Sequence, residues 1–396
     1  MIAAAPTSQL RDPATDTIQS RIQSVDFIRG IVMILMAIDH VRVYSGLPAG
    51  GPEAGIFFTR WVTHFCAPLF VFLSGTSAYL YGAKSEDKSK LSRYLLTRGA
   101  LLILLEFTVI RFSWTFNFNY GEFFLAGVIW MIGACMIMMA GLVYLKAIWA
   151  GLLGVAIIFL QDFFAGVPGL IPEGSRQGFG RYWEFIYASG FEGPEGITIL
   201  YVLVPWIGVM AAGYGFGKLF ELEPAKRNRL FLWIGSLATL LFIIGGSGMA
   251  MSNEGADEDA PFIFQLLNQR KYPASQFYLL MTLGPGILAM PFVERTRGRI
   301  SEAIKVFGRV PLFYYLLHIP VIHVSAVLVN LLREGQTLSQ YYDTAPYVWF
   351  QEPGHQWSLP LLYLVFAIDV VMLFFICRAY ERYKFAHPEK KWLKLI

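Results

Sequence analysis

Residues 21–44, RIQSVDFIRGIVMILMAIDHVRVY, decide how the rest of the chain is read. The stretch is an apolar helix of membrane length that nevertheless carries Asp26, Arg29, Asp39, His40 and Arg42. A helix turns about 100° per residue, so the eleven-residue step from Arg29 to His40 closes three turns almost in phase. Arg29, Met33, Met36 and His40 therefore share one stripe, with Asp26 one turn below Arg29 and slightly to the side. The polar ends of the stripe lie roughly 16 Å apart, half the thickness of a bilayer core. A charge in hydrocarbon is costly unless paired or wetted, which makes an intramembrane ionisable residue a functional candidate. Asp26 and Arg29 alone read equally well as interfacial anchors. His40 is harder to dismiss, because the stripe ties it to a fixed cation.

Around this helix, 56% of the residues are hydrophobic, 15% are charged, and the mean hydropathy is +0.51. That profile marks a polytopic membrane protein rather than a soluble domain. Apolar segments long enough to span occur at 26–45, 57–81, 94–112, 122–144, 147–165, 197–219, 229–250, 275–293, 307–331 and 358–379. The fold expected is all-α, with ten transmembrane helices in a domain over 21–384. A mobile cytoplasmic tail over 1–20, lacking the apolar run of a signal peptide, precedes it, and a basic cytoplasmic tail over 385–396 follows. With the N-terminus inside, 23 of the 32 Lys and Arg fall in cytoplasmic segments and 8 outside, leaving Arg29 within the first helix. The asymmetry predicts that both termini are cytoplasmic. The expected location is a bacterial inner membrane. The net charge of +4 comes with no basic run dense enough for nucleic acid, and Cys66, Cys135 and Cys377 lie in apolar stretches that imply no disulfide framework.

Orientation turns sequence position into depth. His40, Arg60, His64, Glu106, Arg111, Asp162, His318, His323 and Asp369 then lie at middle or outer depth, as for a polar cavity opening outward. Plain readings exist for several. Arg60 and His64 suit a wet vestibule, Glu106 and Arg111 a structural ion pair, and Asp369 a helix-to-helix hydrogen bond. The segment from Gly308 to Pro320, GRVPLFYYLLHIP, places Tyr314 and His318 on one face beside a proline that removes a backbone donor. A site there is favoured over a bare kink. No GxSxG elbow, Walker loop, HExxH or CxxC pair occurs, and six scattered histidines do not make a metal site by spacing. The glycines of Gly213–Gly217 suit close helix packing.

The run Ser24-Val25-Asp26-Phe27-Ile28-Arg29-Gly30, followed by Met36 and Asp39-His40, resembles the integral-membrane acyltransferase superfamily. The likeness is to the branch containing the heparan-alpha-glucosaminide N-acetyltransferase catalytic domain. Ala67 to Gly75 (APLFVFLSG) and the Gly308 to His318 stretch support it. The resemblance implies a ten-helix core that takes acetyl-CoA or another acyl-CoA from the cytosol. The acyl group goes to a hydroxyl or amine of a saccharide or related acceptor at the outer face, with a histidine as catalytic base. In the lysosomal enzyme an asparagine occupies the place of His40 and the catalytic histidine lies in the following luminal loop. Here the loop from Ser45 to Gly55 has no histidine. The base role therefore falls to His40, and the heparan amino-sugar acceptor is not carried over.

Acyl transfer from a thioester needs a base near neutral pH, which an imidazole supplies. It also needs oxyanion donors, for which Tyr314, Tyr315 and His318 are candidates. The expected catalytic set is His40, His318 and Tyr314. The donor-binding set is Asp26, Arg29, Met33 and Met36, with the 295–309 basic loop near the phosphates. Asp39 points about 100° away from His40 and is not expected to orient it. Direct transfer and an acyl-histidine intermediate both remain open. Membrane lipid and a second copy of the chain are compatible partners. The competing class is a proton-coupled transporter or exporter of a glycan or lipid, which also uses intramembrane His and Asp. The absence of an internal repeat weighs against it.

Overall fold

A computed structural model of the protein describes residues 22–51, 53–84, 87–121, 124–190, 192–252, 260–346 and 353–395. The expected N-terminal tail lies outside the described residues. The described structure is 77% helical with almost no strand. The principal helices are α1 (Gln23–Tyr44), α2 (Ala54–Gly82), α3 (Lys88–Leu105), α4 (Val128–Leu142), α5 (Ala147–Phe159) and α6 (Trp206–Gly217). They continue as α7 (Pro224–Ser252), α8 (Gln276–Val293), α9 (Arg299–Arg309), α10 (Pro311–Glu334) and α11 (Leu359–Ala386). Two short strands, β1 (Leu125–Ala126) and β2 (Thr198–Ile199), pair in parallel.

Local sequence explains the ends. The Asp87 carboxylate accepts from the Ser89 and Lys90 amides at the start of α3, and Ser275 does the same for Tyr278 at the start of α8. Pro311 opens α10, and Gly335 closes it at a positive φ of 72°. Helix α2 tightens to a 3-10 turn at Val62–Phe65, and α3 passes through a π turn at Glu106–Ile110 into Arg111–Thr115.

A helix occupies each of the ten expected segments, but they differ in kind. Five (α2, α7, α8, α10 and α11) are long and apolar enough to cross a membrane; a sixth is reached if α5 and the 3-10 segment Gln161–Leu170, bent by 67°, form one span. The others depart for identifiable reasons. Helix α1 carries Asp26, Arg29, Asp39 and Arg42. Helices α4 and α6 have 15 and 12 residues, shorter than the about 20 that a bilayer core needs. The strands occupy sequence expected to be helical, and the 200–205 segment before α6 is a run of bends and turns. Leu200 and Tyr201 line a cavity there, a setting that tolerates irregular backbone at depth.

Helix α1 sits at the centre, touching α2, α8, α9, α10 and α11. Its residues Val32, Met33, Ala37 and Val41 are at most 1% exposed. Helix α6 packs between α2 and α5, α3 against α4, and α7 against α8. Glycines set the closest crossings. A Cβ on Gly308 would lie 1.8 Å from the Asp26 carbonyl oxygen, and one on Gly213 would lie 2.0 Å from that of Phe72. Outward faces are apolar: Trp233, Leu364 and Phe375 are well exposed on α7 and α11, as lipid-facing residues are.

Candidate active site

The site is built where α1 and α10 touch. Pro320 lies inside α10 and has no amide hydrogen for the Leu316 carbonyl. Two residues earlier, His318 Nδ1 lies 2.6 Å from the Tyr315 carbonyl oxygen, and its Nε2 lies 2.7 Å from His40 Nδ1. A carbonyl oxygen only accepts, so His318 Nδ1 carries a hydrogen and donates it to Tyr315. In a neutral His318 the Nε2 is then an acceptor, and His40 Nδ1–H donates to it. The lone pair of the neutral His40 ring is thereby fixed on Nε2. His318 is fully buried and His40 is 7% exposed. Trp114 meets the His40 ring edge-on at 5.2 Å, and Tyr314 stacks on His318 at 5.4 Å.

Two cavities meet near this pair. One, of about 710 Å³, is lined by His40 with Met33, Met36, Asp39, Glu106 and Lys271. The other, of about 910 Å³, lies towards the start of α1 and is lined by Arg29, Ser77, Tyr81, Tyr94 and Arg98. Phe70, Ile132 and Tyr315 belong to both linings and form the common wall. The stripe read from α1 is therefore physical. Arg29 faces one cavity, while Met33, Met36 and His40 face the next.

Other expected residues fall elsewhere. Arg29 donates to the Leu73 carbonyl (3.2 Å) and to the Ser77 hydroxyl. Asp26 lies 3.9 Å from Arg309, which also meets Glu381 at 2.9 Å and Glu302 at 3.0 Å. Asp26 thus belongs to an ion cluster at the foot of α1, α9 and α11. Two cations of the basic loop are held in place there, Arg309 by this cluster and Lys305 by Gln23 and Glu302. The Lys305 ammonium, with Arg309 beside it, holds the Glu302 carboxyl below its ordinary range. Arg98, not that loop, joins Arg29 at the cavity. Tyr314 is fully buried between His318 and Phe307, and among the described residues its hydroxyl has no hydrogen-bond partner. Tyr315 is the tyrosine that reaches the cavities.

Glu106 and Arg111 do not form the expected ion pair. The Glu106 carboxylate accepts the Trp130 amide at 2.9 Å, capping α4 from outside, while Arg111 bonds Thr115, Asn117 and Asn119. Arg60 lines a vestibule as expected, but His64 is 2% exposed, with its ring edge-on to Tyr278. Asp369 accepts from Ser325 across α10 and α11 at 2.6 Å, as expected, and Asp39 pairs with Arg42 at 3.2 Å, a partner the sequence did not mark. Lys271 and Tyr272 gave no sequence signal, because a loop brings them to the site. Among the described residues, no group of three His, Cys, Asp or Glu is placed to hold a metal ion.

The model of the heparan-alpha-glucosaminide N-acetyltransferase catalytic domain matches residues 21–251. The match begins at the charged helix and includes Arg29, His40, the APLFVFLSG run and Glu106. The chain belongs to this family. The branch anticipated from the SVDFIRG run is thus the one found, and membership makes the protein a transferase. With its apolar helices, it is an integral, multi-pass membrane protein. His318 and Lys271 lie beyond the matched range, so their place at the site comes from the structure. No curated protein matches the chain.

Proposed function

We propose that the protein moves an acyl group from cytosolic acyl-CoA, acetyl-CoA foremost, to a hydroxyl or amine of a saccharide or related acceptor at the outer face, with His40 as general base. The observation that carries this is the relay from the Tyr315 carbonyl through His318 to His40, standing beside two cavities that share a wall. His40 Nε2 is the nitrogen able to take the acceptor's proton, and His318 Nε2 accepts from the other side of the ring. His318 so fixes the tautomer and disperses the charge that His40 gains. Tyr315, in the common wall, is the hydroxyl placed for a developing oxyanion.

The cavity at the start of α1 suits the donor in charge. Arg29 and Arg98 provide two guanidinium groups, which grip phosphates in bidentate fashion, and Tyr81 and Tyr94 provide ring faces. Acyl-CoA, when bound, supplies the activated acyl group. Met33 and Met36 line the slot beyond the common wall, in the acyl group's path. Ten crossings with both termini cytoplasmic put this cavity on the donor's side; thiol labelling from outside should reach a cysteine at Gln336 and spare one at Glu223.

The direct test is labelled acetyl transfer by purified His40→Ala. A lost general base commonly costs about 10²–10⁴ in rate, with acetyl-CoA binding retained. Wild-type turnover by a folded His40→Ala protein removes His40 from the mechanism.

A further inference from the structure

Beyond His40 the cavity opens into a vestibule of about 680 Å³, whose walls include Asp39, Leu125, Leu200, Lys271 and Tyr272 in common with the His40 cavity. Arg42 and Arg60 complete its charged lining. Three cations therefore face one carboxylate, and that carboxylate is already bound to Arg42 at 3.2 Å. Arg60 from α2 and Lys271 from the loop before α8 have no carboxylate within 4 Å among the described residues. The adjacent cation behaves otherwise: Arg270 meets Asp162 at 3.8 Å. Both vestibule cations are only partly exposed. Lys271 Nζ lies 5.2 Å from the centre of the Tyr272 ring. Two uncompensated cations in a low-dielectric concavity focus a positive potential into its mouth.

We infer that this vestibule is the acceptor's entry site and that it selects an acceptor bearing a fixed anion, a carboxylate, sulfate or phosphate, which Arg60 and Lys271 bind. The inference rests on the acyl-transfer reading above for the direction in which the acceptor lies. An acceptor held by its anion here extends past Tyr272 and Leu200 towards His40. A neutral acceptor leaves two desolvated cations unpaired, a costly arrangement against which the site discriminates.

The test uses the full chain in phosphatidylcholine nanodiscs and reads thermal stabilisation by methyl glucoside and methyl glucuronide, which share a ring and differ in the carboxylate. A charge-assisted pair is strong enough that glucuronide should bind at least about tenfold more tightly. That preference should largely vanish in Lys271→Gln and in Arg60→Gln, while both variants keep wild-type affinity for acetyl-CoA. A second arm adds phosphatidylglycerol to the nanodiscs. Stabilisation by that lipid, lost in the same variants, supports the anion site and assigns its anion to a lipid headgroup. Equal binding of the two sugars with no effect of the lipid overturns the proposal. So does a fall in acetyl-CoA affinity in the two variants, which assigns the cations to the donor. If one variant fails to fold, the other still decides. Binding is read without turnover, so a failure of acyl transfer itself is scored separately by labelled acetyl transfer.

Discussion

His40 and His318 are separated by 278 positions in the chain and by 2.7 Å in space. Each could be singled out in the sequence for its own reason, one as a titratable group in an apolar helix, the other as a polar ring beside a helical proline. Their contact could not, because depth along a helix says nothing of azimuth. The contact gives His318 a positioning role, which makes a specific prediction. His318→Ala removes the acceptor that fixes the His40 tautomer, and one lost hydrogen bond of about 1.4 kcal/mol corresponds to about tenfold in rate. We expect kcat to fall by about that factor, with the KM for acyl-CoA little changed. His318→Gln keeps an amide oxygen able to accept from His40 Nδ1–H and should recover part of the loss. A merely structural His318 would give no such rescue, and the two variants would then differ in melting temperature but not in kcat. Lys271 shows the limit of sequence reading at this scale: in a loop, neither periodicity nor depth marks a functional lysine.

Among the elements, the motif glycines prove to be packing residues. A Cβ on Gly30 would meet the Ile304 carbonyl oxygen at 2.0 Å, and one on Gly308 that of Asp26 at 1.8 Å, so α1 and α9 cross backbone to backbone. This crossing fixes the rotation of α1 and hence the direction in which the Arg29–His40 stripe faces. Gly308→Ala forces the two backbones apart, and overpacking of this kind costs about 1–3 kcal/mol. We expect a clear fall in melting temperature. Gly248→Ala in α7, where a Cβ meets nothing within 4 Å, should leave it unchanged or raise it. Equal behaviour of the two variants would refute the close-crossing argument. The helices themselves were legible as apolar runs. Their ends were not, because β1, β2 and the bends and turns before α6 interrupt the apolar runs where they line the cavities.

Across the whole molecule, titratable groups at middle and outer depth suggested a polar cavity opening outward, and the structure holds two cavities with a common wall within an apolar core. The donor-slot model follows from this division. Arg29 lines one cavity, and Met33 and Met36 line the other, beyond Phe70, Ile132 and Tyr315. A donor whose phosphates sit at Arg29 and Arg98 must pass its acyl end through that wall to reach His40. Arginine binds a phosphate with a planar fork that lysine lacks. Arg29→Lys should therefore weaken acetyl-CoA binding several-fold despite keeping the charge. Met33→Trp fills the slot beyond the wall and should block transfer while binding of an acceptor from the vestibule persists. If Arg29 serves only to anchor α1 to α2 through Leu73 and Ser77, Arg29→Lys retains its charge and leaves CoA affinity alone. Calorimetric titration of acetyl-CoA into wild type and both variants separates the two cases. Unchanged dissociation constants in both variants would rule out the slot, whatever the chemistry at His40.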